Sequence, residues 1–472
     1  MRIAAIILLI AASCSGCAMG PRYHEPVMEL PQSYRSYKTI QEGEAMINLP
    51  WWGVFKDPAL QDLIREALSN NYDLRAAAAR VEEARAVIGT AASQLFPQAD
   101  LTGGISRERN SKNSAPSLNR FSSNYTAGFN TSWELDLWGK ISQGVSSARA
   151  EYLASENSRK GVMVTLVADV AETYFRLLEL DLRLDIAEKT LQTRKDNLDL
   201  FTTRYKGGAA SELEVARAEA DYEETSADIP DIEREISGQE NKLSELLGRN
   251  PGPIERTAAL SRESFAPGIP GSGLPSDLLK NRPDVMEAEQ MLRSATAEVG
   301  VAISEFMPSV NMTNFVGGQG NRFSKVFDNK GYTWELGGSA DMNVFDGGKN
   351  LSGYAAAKAK VSQYMASYQQ KVVGAFREVS DALVNIEKIE TVRESQEKQV
   401  EALKKATDLS RARYEGGYSS YLEVIDADQQ YYQAQNLLAR TQADQVIYYV
   451  QLYRALGGGW QTEKDVTAGS GK

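Results

Sequence analysis

The stretch "RYEGGYSSYLEVIDADQQYY" occupies residues 413–432, and "RYKGGAASELEVARAEADYE" occupies residues 204–223; ten of their first nineteen positions agree. In each, a glycine pair (Gly207-Gly208 and Gly416-Gly417) suits the left-handed backbone that ends a helix. Ser211 and Ser420 then open "SELE" and "SYLE". Both read S-x-x-E, the capping box that starts a new helix. Each stretch therefore predicts a stop, a short turn and a restart, which is the tip of an αα-hairpin.

The similarity extends well beyond the tips. The same offset of 209 pairs Asp169-Val170 with Glu378-Val379 and Gly139-Lys140 with Gly348-Lys349. Upstream, "NYDLRAAAARVEEARA" from Asn71 resembles "RPDVMEAEQMLRSATA" from Arg282 at an offset of 211, which Pro97 and Pro308 keep. The chain is two copies of one unit, a repeat that decides the architecture before any local reading does. Residues 1–16 read as a signal peptide and 17–56 as a lipid-anchored tether. Residues 57–250 form the first repeat, with a β-hairpin at about 98–137 and a helical tip at about 206–211. A linker covers 251–281. Residues 282–457 form the second repeat, with a β-hairpin at about 308–345 and a tip at about 415–420, and 458–472 are a tail.

Period-two alternation marks the strands. Tyr125, Ala127, Phe129, Thr131, Trp133, Leu135 and Leu137 alternate with polar residues and glycine; so do Tyr332, Trp334, Leu336, Gly338, Ala340, Met342 and Val344. "QADLTGGISRER" and "PSVNMTNFVGGQG" supply a partner strand for each, giving four strands in all. Between the hairpins, Leu177, Leu180, Leu184, Ala187, Leu191, Arg194, Leu198, Phe201 and Tyr205 step by three and four, a coiled-coil seam. The seam of the second copy, Ile386 through Tyr414, is more polar. Pro230 should kink the return helix of the first copy.

Composition narrows the function. The 472 residues carry a net charge of −11, which argues against nucleic acid as a partner. The two cysteines are Cys14 and Cys17, and the one histidine is His24. A zinc site, a thiol nucleophile or a Ser-His-Asp triad is therefore not expected in the mature chain, and no cofactor or metal is assigned. "MRIAAIILLIAASCSGC" is too short for a membrane span and reads as a secretory signal. Ser15-Gly16 before Cys17 resembles a lipobox, which makes Cys17 the lipidated residue; Cys14 is the alternative.

Four strands do not close a spanning barrel, and unpaired edges in lipid cost several kcal/mol per group. Several chains must share one barrel, and three would supply twelve strands. Two chains would give a cramped barrel, so the residues alone predict a mixed α and β membrane protein in which several chains share one outer-membrane β-barrel, continued by a long hollow cylinder of coiled-coil helices.

"GCAMGPRYHEP", "WWGVFKDPALQDLIREALSNNYDL", "ELDLWGKI", "RPDVMEAEQ", "VFDGGK" and the two tip motifs stand in one order along nearly the whole chain. In this it resembles the TolC-like outer membrane efflux proteins, of the lipoprotein subgroup. The resemblance implies a homotrimer in the outer membrane, with a trimeric 12-stranded outer-membrane β-barrel continued by a long periplasmic α-helical barrel, a passive conduit and not an enzyme. It also implies as partners a periplasmic adaptor, an inner-membrane pump of the resistance-nodulation-division type, and outer membrane lipid. The alternative client is a type I protein secretion system. Members of the family are nearly shut at the periplasmic end by acidic side chains near the second tip, which correspond here to Asp426 and Glu423. Glu423 also reads as a capping residue, because its first-copy counterpart is Glu214, whereas the first-copy counterpart of Asp426 is Arg217, so the copies diverge there. Tyr414 resembles a tyrosine that braces the closed state, and it also fits the seam. Gly207, Gly208, Ser211, Gly416, Gly417 and Ser420 would meet the adaptor.

Overall fold

The computed structural model describes residues 19–28, 50–109, 111, 121–256 and 279–460. Cys14, Cys17 and residues 1–16, read above as a signal peptide, lie outside the described residues, as do most of 251–281 and of 458–472. The elements run α1 (Trp51–Val54), α2 (Pro58–Asn70), α3 (Tyr72–Ser93), β1 (Gln98–Arg109), β2 (Phe121–Glu134), α4 (Lys140–Lys206), α5 (Glu212–Leu246), α6 (Pro283–Ser304), β3 (Ser309–Gly320), α7 (Phe323–Val326), β4 (Tyr332–Asp341), α8 (Lys349–Glu415) and α9 (Tyr421–Ala455). The repeat recurs in lengths: α4 and α8 have 67 residues each, and α5 and α9 have 35. No helix among the described residues is long and apolar enough to cross a membrane.

The chain divides into two compact units, and each draws on both copies of the repeat. The described residues of the first fall within 1–28, 79–156 and 287–369; those of the second fall within 29–78, 157–286 and 370–472.

The first unit contains a four-stranded antiparallel sheet in the order β1-β2-β3-β4. Its register puts Leu101, Phe129, Val316 and Trp334 in one row across all four strands. Ile105 pairs with Tyr125, and Trp133 with Met312, on the same face. Large apolar side chains on this face are exposed, among them Leu101, Ile105, Phe129, Trp334 and Leu336. The opposite face carries the row Asp100, Asn130, Phe315 and Glu335 and, beside it, Thr102, Gly128, Gly317 and Thr333. Phe315 is the one large apolar side chain there, and the paired glycines explain how it fits. A Cβ at either Gly128 or Gly317 would sit 2.9 Å from its ring. β2 ends at Glu134 and β4 at Asp341, so Leu135, Leu137, Met342 and Val344 lie beyond the strands.

Where the sheet passes into helix, two carboxylates do the capping. Asp136 accepts from the Ile141 and Ser142 backbone N–H groups, and Asp346 from those of Gly348 and Asn350. These bonds satisfy orphan donors at the starts of α4 and α8. Residues 19–28 also belong to this unit. The Met19 N–H donates to the Trp138 carbonyl at 3.1 Å, and the Tyr23 hydroxyl to Glu289 at 3.1 Å under the Arg293 guanidinium.

The second unit has the larger core, built from α1 and α2 against α4, α5, α8 and α9. Asp57 caps α2 through the Ala59 and Leu60 N–H groups, and its second oxygen accepts from the buried Tyr174 hydroxyl at 2.8 Å. The repeat is again legible in the way the return helices end. Asn71 donates to the Leu246 carbonyl at 3.0 Å, and Arg282, its repeat partner, donates to the Ala455 carbonyl at 2.7 Å. Gly248 and Gly457 follow with φ of +71° and +82°. A Cβ there would collide with the Asn70 or Asn281 carbonyl oxygen, so both the conformation and the space require glycine. α5 runs through Pro230 as one helix. Along the seams, Leu177, Leu180, Ala187, Arg194 and Phe201 are buried in the first copy, and Ile386, Thr407 and Ser410 in the second. Tyr205 departs from the seam and is 46% exposed.

Candidate functional site

The two helical tips both lie in the second unit. They close in the same way. In the first, the Gly208 N–H donates to the Tyr205 carbonyl and the Ala209 N–H to that of Arg204; in the second, the Gly417 N–H donates to Tyr414 and the Tyr418 N–H to Arg413. This pair of bonds is the Schellman motif. Of each glycine pair only the second member is left-handed: φ is +75° at Gly208 and +76° at Gly417.

The restarts differ. At Ser211 the capping box forms in full: the Ser211 hydroxyl accepts from the Glu214 N–H, and the Glu214 carboxylate accepts from the Ser211 N–H at 2.7 Å. That backbone bond is the main reason the Glu214 carboxyl is held below its ordinary range. At Ser420 the matching box is absent, contrary to the sequence expectation; the Ser420 side chain makes no capping bond. The reason lies one residue on. Where the first copy has Glu212, the second has Tyr421, which is only 6% exposed. Its ring centroid lies 4.1 Å from that of Phe201 and 5.5 Å from that of Tyr414. Val424 and Ala218 complete this small core. Burial of the aromatic side chain, worth about 2 kcal/mol or more, fixes the start of α9 without the cap.

Tyr414 joins the two tips. Its ring packs on Phe201 at 5.8 Å, and its hydroxyl donates to Glu214 at 3.3 Å, with the Arg204 guanidinium 6.0 Å from the ring. Burial, then the Glu214 charge, push the Tyr414 hydroxyl above its usual range.

Behind the tips sits Arg194, only 4% exposed. It donates to the Asp221 carbonyl at 2.8 Å and to Glu224 at 3.2 Å, and lies 3.5 Å from Asp428. It thereby ties α4 to α5 and α9. Nearby, the Tyr432 hydroxyl donates to Asp228 at 3.0 Å; burial first, then that bond, raise it to about 12. The sequence places Arg194 in the seam without marking it for any further role. The available signal was its repeat partner, Leu403, which cannot make these bonds.

Glu423 and Asp426 are both exposed at the start of α9. Among the described residues Asp426 accepts only from Gln430, one helical turn along, at 2.8 Å, and the Glu423 carboxylate makes no hydrogen bond or ion pair. The described residues contain no cluster of three or more His, Cys, Asp or Glu side chains arranged to hold a metal ion.

A sheet with an exposed apolar face, two open edges and paired helical hairpins of this length defines a channel subunit. A family model described as outer membrane efflux protein matches residues 63–249 and 274–458, and the chain belongs to that family. It is 30% identical to the cation efflux system protein CusC of Escherichia coli over 454 residues, 96% of this chain and 98% of that one. It is 31% identical to the solvent efflux pump outer membrane protein SrpC of Pseudomonas putida over 457 residues, 95% and 97% of the two chains. Among solved structures, the outer-membrane channel OprN superposes with a TM-score of 0.88 at 29% identity, covering 94% of this chain and all of that one. The chain is an outer membrane efflux channel protein, with the β-barrel and α-helical barrel fold of these channels, and not an enzyme.

Proposed function

We propose that this chain forms, as a homotrimer, the outer membrane duct of a three-part efflux system. A periplasmic adaptor would seat on the helical tips at Gly207, Gly208, Ser211, Gly416, Gly417 and Ser420. An inner-membrane pump of the resistance-nodulation-division type would deliver the cargo. The relatives are named for cations in one case and solvents in another, so the pump rather than the duct sets the cargo class. The two open sheet edges favour assembly, since unpaired backbone groups in lipid are costly; three copies would make twelve strands.

The observation that carries the gate is the pair of exposed carboxylates, Glu423 with no hydrogen bond or ion pair among the described residues and Asp426 bonded only to Gln430, beside the packed rings of Phe201, Tyr414 and Tyr421. Brought together around a threefold axis, copies of Asp426 would narrow the duct and attract cations. Two unit charges about 4 Å apart repel by roughly 4 kcal/mol at an effective dielectric near 20. The Phe201, Tyr414 and Tyr421 packing and the Tyr414 bond to Glu214 would oppose that repulsion and brace the closed form. The test is planar-bilayer conductance with divalent cation added on the periplasmic side. Asp426→Ala should weaken cation selectivity and block, and Asp426→Ala with Glu423→Ala should do so further. Wild-type conductance, selectivity and block in both variants would remove these residues from the gate.

Cys17 is proposed to carry the lipid. The segment that follows it is held in the first unit through Met19 and Tyr23, close to where β2 passes into α4. Cys17→Ala should abolish acyl labelling; persistent labelling would move the anchor to Cys14.

A further inference from the structure

The end of the sheet remote from the helices carries a patch that the duct does not explain. The apolar rows run from Trp133 paired with Met312 to Tyr125 paired with Ile105. Those rows span eight residues, about 27 Å along the strand, or roughly 20 Å of membrane depth at the usual barrel tilt. Above them on the same face stand Arg107 and Arg109, about 7 and 14 Å further along β1. Their guanidinium groups lie 6.0 and 5.9 Å from the Phe121 ring.

The second hairpin adds to the same level. A Cβ at Gly318 would sit 1.8 Å from the Val326 carbonyl oxygen, and one at Gly320 would sit 2.7 Å from Lys325 Cβ. These glycines share the apolar face with Val316, so α7 is pressed onto that face at the height of the Ile105 row. From α7, Phe323 and Phe327 stack edge to face at 5.5 Å, and both are exposed. Lys325 is paired with Asp328 at 3.3 Å. Arg322 and Lys330 flank them, exposed and without an ion-pair partner among the described residues. In a chain of net charge −11, this rim is cationic and aromatic.

We infer that this rim is a docking surface for the phosphate-bearing glycolipid of the outer leaflet, lipid A. Exposed aromatic rings at the top of an apolar band sit at the level of the headgroups, and guanidinium groups there pair with phosphate oxygens bidentately. The cations fall into two clusters, one on β1 and one beyond β3. β2 stands between them, so two separate phosphates can be met at once, which suits a headgroup carrying two phosphates better than a phospholipid carrying one.

The experiment uses the full-length, detergent-solubilised assembly and native mass spectrometry. The probes are bisphosphorylated lipid A, lipid A with both phosphates removed, and phosphatidylglycerol. Wild type should retain bisphosphorylated lipid A at least tenfold better than either other lipid, with retention falling as salt rises. The variant Arg107→Gln/Arg109→Gln/Arg322→Gln/Lys330→Gln should lose that preference while keeping wild-type channel conductance. Should the fourfold variant fail to assemble, the two half-variants, one per cluster, should each lose retention about threefold. Equal retention of dephosphorylated lipid A by wild type, salt-independent retention, or undiminished retention by the variants would overturn the inference. Retention of phosphatidylglycerol as strong as that of lipid A would overturn the choice of glycolipid.

Discussion

The two helical tips began from one sequence motif and are now fastened by different physics. The first is polar: Ser211 and Glu214 satisfy each other's backbone N–H groups, and Glu212 and Tyr205 are left to solvent. The second is apolar: Tyr421 is buried against Phe201 and Tyr414, and Ser420 and Glu423 have no capping duty. A capping box and a buried ring are alternative ways to fix where a helix starts. Choosing the ring releases an acidic side chain, and that released carboxylate stands three residues from Asp426 on the hairpin proposed to carry the gate. The bond from Tyr414 to Glu214 makes the fastening asymmetric, since the polar tip also holds the apolar one.

The largest expected effect follows from the aromatic side of this contrast. Tyr421→Ala removes a buried ring and should cost about 3 kcal/mol, read as earlier denaturation of the second tip by hydrogen exchange. Its repeat counterpart, Glu212→Ala, should change stability by less than about 0.5 kcal/mol. Equal costs would end the distinction between the tips. A smaller effect separates the serines. Ser211→Ala should lose about 1 kcal/mol of local stability, while Ser420→Ala should lie within a few tenths of neutral. A full cap loss at Ser420 would mean that the box forms there in solution.

The smallest effect is a pH dependence confined to the first tip. Glu214 is held below its ordinary value of 4.5 mainly by the Ser211 N–H. A carboxyl depressed on folding contributes stability that is present above its unfolded value and lost as pH falls through its folded value. Amide protection around Ser211 should therefore hold from neutral pH down to about 4.5 and fall only in stronger acid. Glu214→Gln should remove that acid transition and leave the second tip unchanged. An acid transition that survives Glu214→Gln would assign it to another carboxylate.

Much of this was written locally. The glycines and the S-x-x-E motif mark both tips, and period-two alternation marks the strands. The site was less legible. Capping at Ser420 was read from a motif that is necessary but not sufficient, because a residue between its ends can move the energetics elsewhere. Arg194 looked like one more seam position, since a periodicity argument registers where a residue falls and not what its head group meets.

The sequence by itself determined the twofold repeat, the order of strands and helical hairpins and the two-faced strands, because these depend on neighbours a few residues away. Only the tertiary structure decided that the two compact units each mix both copies, that Phe315 lies over the paired Gly128 and Gly317, and that Tyr421 displaces a cap. Those outcomes compare contacts between residues about two hundred positions apart or more, as Tyr421 is from Phe201. Their free energies come from burial and desolvation, which have no signature in the local pattern.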